Sequence, residues 1–168
     1  MSKFFDAHTH VQFAAFDIDR EEVIRRAREA NVGMVNVGTQ IDTSKTAIGL
    51  AHKYPDLWAT VGLHPIHTSK SFHDADELGG EAAKSFSSRG EEFDYDAYKK
   101  LSLDPKVVAI GECGLDYYRL TNDPELITKQ KQKEAFERQI QLAIEVKKPL
   151  MIHCRSGAPE RASPQSEA

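Results

Sequence analysis

Short apolar runs alternate with amphipathic stretches along this chain, the pattern of repeated strand-then-helix units. The apolar runs predict strands at Lys3–Ala7, Met34–Val37, Trp58–Gly62, Val107–Gly111 and Leu150–His153, with helices between them. Asp19 followed by Glu22 has the spacing of a capping box, after which Val23, Ala27 and Ala30 recur at helical intervals until Gly33. A second helix is predicted from Thr43 to Tyr54, stopped by Pro55, which disfavours helical backbone in the residue before it. The best-defined helix covers Lys129 to Val146, where Phe136, Ile140 and Ile144 repeat every fourth residue with Ala143 alongside, before Lys147-Lys148-Pro149 ends it. That apolar face is expected to pack on the sheet.

Between His67 and Lys106 the alternation weakens. Gly79-Gly80, the run from Ser85 to Gly90 and many acidic residues make a polar stretch longer than the usual strand-to-helix connection. It reads as an insertion over about residues 68–100, with a helix near Tyr95 to Leu103. Its acidity argues against a direct grip on a phosphate backbone. Ser156 to Ala168, small, polar and broken by Pro159 and Pro164, read as a disordered tail after one domain over residues 1–155.

The 168 residues, 40% of them hydrophobic, suffice for a soluble globular domain with a sizeable core. No run approaches a membrane span, and Met1-Ser2-Lys3 leads straight into a short apolar segment interrupted by Asp6, unlike a signal peptide. The expected location is the cytoplasm, with no membrane partner. The two cysteines, Cys113 and Cys154, form no disulfide framework and are expected to be reduced. A net charge of −4 excludes a broad basic surface, and Lys129-Gln130-Lys131-Gln132-Lys133 reads as a solvated helix face. Attraction for an acidic substrate would have to be focused at a site, as bound divalent cations can do.

Such a site is suggested at the strand ends. His8 and His10, one residue apart, share a face of an extended strand with Asp6 behind them, and two neutral imidazoles on one face suit a divalent metal. Read alone, they are also a pair of surface histidines. Gly111-Glu112-Cys113-Gly114-Leu115-Asp116 sets a carboxylate after the fourth apolar run, where burial without a charge partner would be costly. Leu150-Met151-Ile152-His153-Cys154-Arg155 sets an imidazole after the fifth, and Val61-Gly62-Leu63-His64-Pro65 another after the third. In a barrel of parallel strands these ends meet at one mouth. Alone, His153 reads as a core histidine, Asp116 as a cap or turn residue, and Arg155 as an ion-pair partner. His64 either orients substrate or water or hydrogen-bonds its own loop. Cys113 and Cys154 should point into the sheet–helix layer and stay out of the metal site.

Asp6-Ala7-His8-Thr9-His10, Gly62-Leu63-His64-Pro65, Gly111-Glu112-Cys113-Gly114-Leu115-Asp116-Tyr117-Tyr118 and Ile152-His153-Cys154-Arg155, in that order, resemble the TatD family of metal-dependent deoxyribonucleases. The resemblance covers roughly the first 155 residues and implies an α/β fold, a TIM-type (β/α)8 barrel of the metal-dependent hydrolase superfamily. It implies two divalent ions (Mg, Mn or Zn), held by His8, His10, Glu112 and His153, with Glu112 the bridging catalytic carboxylate. DNA would be the substrate, its phosphodiester bonds hydrolysed by metal-activated water; from their place at the same rim, rather than from the resemblance, His64, Asp116 and Arg155 are expected to bind it.

The departure from the family is at the C-terminal side. Members continue through three more strand–helix units, which bring a further ligand histidine and an aspartate, and a full barrel takes about 250 residues. The 168 residues give about five units, which reads as a truncated or frame-shifted product of a longer gene. Two other readings follow from this pattern: an amide or lactone hydrolase on the same barrel, and a non-catalytic metal-binding fragment. Open sheet edges would favour self-association or a complementary fragment.

Overall fold

The computed structural model describes residues 3–73, 86–118, 120 and 125–155. In chain order the elements are β1 (Phe4–Thr9), α1 (Arg20–Glu29), β2 (Val32–Val37), α2 (Ile41–Lys53), β3 (Leu57–Val61), β4 (Lys70–His73), β5 (Phe86–Arg89), α3 (Tyr95–Ser102), β6 (Val107–Asp116), α4 (Glu125–Val146) and β7 (Leu150–Arg155). Short 3-10 turns lie at Ala14–Phe16 and Pro65–Thr68. Strands β1, β2, β3, β6 and β7 stand side by side in that order. Every neighbouring pair among them is parallel. Each parallel step returns through a helix, so the five C-terminal strand ends share one rim. The result is an α/β, TIM-type barrel that is incomplete, open between β1 and β7. Strands β4 and β5 form a separate antiparallel pair inside the expected insertion. Residues 74–85 of that stretch and the tail over 156–168 lie outside the described residues.

The core fills the layer between sheet and helices. Val37, Leu57, Ala59, Val61, Ile110 and Leu142 are fully buried, and each large aliphatic side chain removed from water contributes roughly 1.5–3 kcal/mol. Tyr98 of α3 is also buried, stacked on Phe93, with its hydroxyl donating to Glu91 at 2.6 Å. Among the described residues no helix is long and apolar enough to cross a membrane.

Several expected boundaries shift for identifiable reasons. Helix α1 is capped at Asp19 without a side-chain hydrogen bond, and Glu22, the other half of the expected box, accepts instead from Arg25 at 2.7 and 2.9 Å. The helix ends at Glu29, and Asn31 takes the left-handed turn at φ 59°, leaving Gly33 inside β2. Helix α2 starts at Ile41, two residues early, because the Thr43 hydroxyl accepts the Gln40 N–H at 2.9 Å. Strand β6 runs on to Asp116 because β7 stays alongside it, pairing Gly114 with His153 and Asp116 with Arg155.

The buried face of α4 is only partly the apolar stripe, of which Ala143 is buried and Phe136 and Ile140 half-buried. Ile144 is 72% exposed, and the side chains facing the sheet are Gln132, Ala135, Gln139, Leu142 and Ala143. Cys113 is buried, but Cys154 is exposed rather than tucked into the sheet–helix layer, since it lies on the edge strand β7.

Candidate metal centre

Strand β1 delivers His8 and His10 to the rim. The Thr9 side chain between them is tied to β2, its hydroxyl 3.0 Å from Asn36 Oδ1 and 3.2 Å from Val35 O. Val37 O can only accept, so His10 Nδ1 at 3.1 Å carries the proton and donates it. The lone pair of His10 then lies on Nε2, which faces His8 Nε2 at 3.2 Å. His10 also stacks on Phe13, with ring centroids 4.6 Å apart.

Strand β6 places Glu112 opposite that pair. Its Oε2 lies 3.2 Å from His8 Nε2, while its Oε1 lies 3.1 Å from His153 Nδ1 and 3.7 Å from His64 Nε2. One oxygen therefore faces each histidine set. Asp116, at the end of β6, accepts from His153 Nε2 at 2.9 Å and from the Tyr118 N–H at 3.0 Å. Among the described residues two groups result, His8–His10–Glu112 and His64–Glu112–His153, and within each the ligand atoms lie within 4.8 Å of one another.

The two groups differ in readiness. The first presents a nitrogen lone pair and a carboxylate as it stands, which is the donor chemistry a borderline divalent cation prefers. In the second, His153 is pinned between two carboxylates, so a cation there must displace a proton. His64 Nδ1 accepts the Ile66 N–H at 3.2 Å, so the neutral ring turns an N–H at Nε2 toward the site. That is a donor for an anion, not a lone pair for a cation.

Arg155 stands beside Asp116 in the β6–β7 ladder, with its guanidinium 3.6 Å over the Tyr118 ring and its side chain exposed. Of the residues singled out in the sequence, the structure brings together His8, His10, His64, Glu112, Asp116 and His153. The residues sequence reasoning missed are Asn36, Gln132 and Gln139, all buried. Polar residues at core positions of a strand and a helix were the available signal.

Burial drives the His64 pKa down to about 3 against weaker opposing pulls from Glu112 and Asp116. His10 is lowered chiefly by burial and then by His8. His153 moves the other way, up to about 9, through its hydrogen bonds to Asp116 and then Glu112. Burial raises the Glu112 and Asp116 carboxyls, but the hydrogen bond from His153 and neighbouring imidazoles outweigh it, and both end below their ordinary values.

These shifts give the expected contribution of the site to the pH dependence of the metal-free protein. His153 binds its proton more tightly folded than unfolded, so its stabilisation is complete below about pH 6.5 and is lost as pH rises through about 9. His64 and His10 resist protonation only when folded, so stability also falls as pH drops below about 6.5. Glu112 and Asp116 add to the acid-side loss. With chelator present, Tm is expected to peak near pH 6–7, His153→Gln flattening the alkaline limb and His64→Gln the acid one. A Tm that keeps rising from neutrality to about pH 9 would contradict the assignment.

Comparison with known proteins places this geometry. The sequence matches the TatD related DNase family over residues 5–164. It is 39% identical over 153 residues to the 3'-5' ssDNA/RNA exonuclease TatD of Erwinia tasmaniensis, covering 90% of this chain and 50% of that protein. The protein of the same name from Salmonella typhimurium is 38% identical over 152 residues, covering 90% of this chain and 49% of its own length. The chain thus spans about half the length of the curated relatives it matches. Among solved structures, the TatD homologue YJJV of Escherichia coli superposes with a TM-score of 0.66 at 26% identity, over 92% of this chain and 51% of that one. An uncharacterized amidohydrolase from Saccharomyces cerevisiae shares the fold, with a TM-score of 0.62 at 23% identity over 93% of this chain and 49% of that one. The chain belongs to the TatD related DNase family.

Proposed function

We propose that this chain carries the N-terminal half of a divalent-metal-dependent hydrolase site that cleaves phosphodiester bonds in nucleic acid, single-stranded DNA first among substrates. The observation behind the reading is Glu112, whose two oxygens face separate histidine sets. His8, His10 and Glu112 would hold one ion, and Glu112 with His153 the other; magnesium, manganese and zinc all suit such donors. When bound, such ions supply Lewis acidity toward a phosphoryl oxygen and make a nearby water more acidic.

The protein's own residues supply the rest. Glu112, kept ionised, is the catalytic carboxylate between the two sets. His64 offers its Nε2–H to a phosphate oxygen, since it is neutral across the physiological range. Asp116 orients His153, and Arg155, exposed at the rim, pairs with a neighbouring phosphate. The two free thiols fit a cytoplasmic setting, where they stay reduced.

Both sheet edges need a neighbour. Phe4 and Phe5 on β1 are 57% and 55% exposed, and Ile152 on β7 is 59% exposed. In this reading a second copy, or a complementary fragment, covers those edges in the working enzyme. Sedimentation of the purified chain separates the possibilities, and a compact, cooperatively unfolding monomer argues for neither.

The functional test is release of nucleotides from single-stranded DNA with added Mg²⁺, Mn²⁺ or Zn²⁺. His8→Ala should lower the rate by about 100-fold or more, as expected for losing a metal ligand. Unchanged turnover in that variant, or turnover of lactones and amides with none of DNA, would sink the nuclease reading.

A further inference from the structure

Two glutamines of α4 are buried where the helix meets the sheet, Gln132 at 1% exposure and Gln139 at 0%. A primary amide carries the same donor and acceptor as a peptide unit, so it can pair with both backbone groups of one residue. Both glutamines do this. Gln139 accepts the Leu63 N–H at 2.8 Å and donates to the Leu63 carbonyl at 3.0 Å. Gln132 accepts the Asp116 N–H at 2.9 Å and donates to the Asp116 carbonyl at 2.9 Å.

The clamped residues are functional neighbours. Leu63 directly precedes His64, and Asp116 is the carboxylate that holds His153. Strand β3 ends at Val61 and its pairing with β6 ends at Ile110, so at this height the ladder between those two strands no longer supplies partners for Leu63 or for the β3-facing side of Asp116. The two side-chain amides supply those hydrogen bonds instead. They stand seven residues apart, close to two turns, so they share a face and are offset by about 10 Å along the axis.

We propose that Gln132 and Gln139 are positioning residues for the catalytic site, with α4 as a ruler that sets His64 against the Asp116–His153 pair. Helix α4 lies on the outside of the sheet and touches no candidate ligand side chain through these amides. Its effect passes through the backbone at the rim, one clamp for each side of the second histidine group. The consequence for metal affinity rests on the proposed function; the clamp itself does not.

The decisive measurement is therefore made without metal, on the ring nitrogen signals of the histidines by NMR. Gln139→Met should move the His64 signals and Gln132→Met those of His153, while His52, paired with Asp104 elsewhere on the surface, stays put. Gln139→Asn and Gln132→Asn, which keep the amide but shorten its reach, are read in the same way if a Met variant does not fold. Leu142→Ala is the control, since it removes buried contacts on α4 without touching a clamp. The proposal is overturned if the His64 and His153 signals do not move, or if Leu142→Ala moves them equally.

Manganese titration of the same proteins gives the second readout. If the wild type takes up metal, the Gln132 variants should bind at the second group about 10–100-fold more weakly, the usual cost of losing a residue that orients a ligand, while the Gln139 variants, which act on the donor His64, should bind it within a few-fold of the wild type. A wild type that binds no metal would overturn the proposed function and leave the NMR result to decide the clamp.

Discussion

Replacing Glu112 with Gln is expected to abolish metal uptake at both histidine groups at once. Glutamine keeps the shape of the side chain but removes the negative charge and one acceptor oxygen. Glu112 is the only residue shared by the two groups, with Oε2 toward His8 and Oε1 toward His153. Its loss should weaken binding by more than roughly 100-fold, the upper end of what removal of even an indirect orienting partner costs. By contrast His8→Gln should lose the first group and spare the second, and His153→Gln the reverse. Calorimetric titration with Mn²⁺ reads all three variants. Retention of either site at wild-type affinity in Glu112→Gln would show that the carboxylate is not shared.

The same substitution tests the electrostatics. His153 is held protonated by Asp116 first and Glu112 second. Removing Glu112 leaves one of its two partners, so the alkaline decline in the stability of the metal-free chain should still begin near pH 6.5 but be smaller and end at a lower pH than in the wild type. A metal effect and a proton effect from one side chain are what a carboxylate between two imidazole sets must produce.

Most of the strand ends that build this site were legible because each carries costly chemistry next to an apolar run. A carboxylate after Val107-Val108-Ala109-Ile110 and an imidazole after Leu150-Met151-Ile152 demand partners, and the parallel sheet provides them across strands. The face of α4 was only partly legible, and for a physical reason. Phe136, Ile140 and Ile144 make a better apolar stripe than the most deeply buried residues, yet the first two are only half-buried and the third exposed, because Gln132 and Gln139 occupy core positions as backbone partners. Hydrophobic periodicity cannot see a polar side chain whose hydrogen-bonding capacity is spent on strand ends. The false capping box at Asp19 has a similar origin, since the glutamate it needs is closer to Arg25. Cys154 was misplaced because strand alternation assigns a face, whereas coverage of that face depends on what packs over the edge strand.

Gly62→Ala is expected to damage both the fold and the site by the addition of a single carbon. A Cβ there would stand 2.6 Å from both the carbonyl carbon and Cα of Gly111, and 2.9 Å from its nitrogen. All three are backbone atoms, so no flexible side chain can yield. Gly111 cannot move freely either, being at φ +144°, a conformation that side chains rarely adopt. The strand must therefore shift just before Glu112, the residue on which both histidine groups depend. Overpacking of this kind typically costs 1–3 kcal/mol, and contact between two backbones belongs at or above the top of that range. For a chain of this size that corresponds to a fall in Tm of roughly 10 °C. Metal affinity should fall with it, because Glu112 is displaced as well as the fold weakened. Gly49 supplies the comparison: it lies in α2 with open space where a Cβ would go. There, alanine should raise stability by about 0.5–1 kcal/mol through helix propensity and leave metal binding untouched. Equal Tm values for Gly62→Ala and the wild type would mean that β3 and β6 are not in backbone contact at the rim, and the placement of Glu112 between the two histidine sets would fall with it.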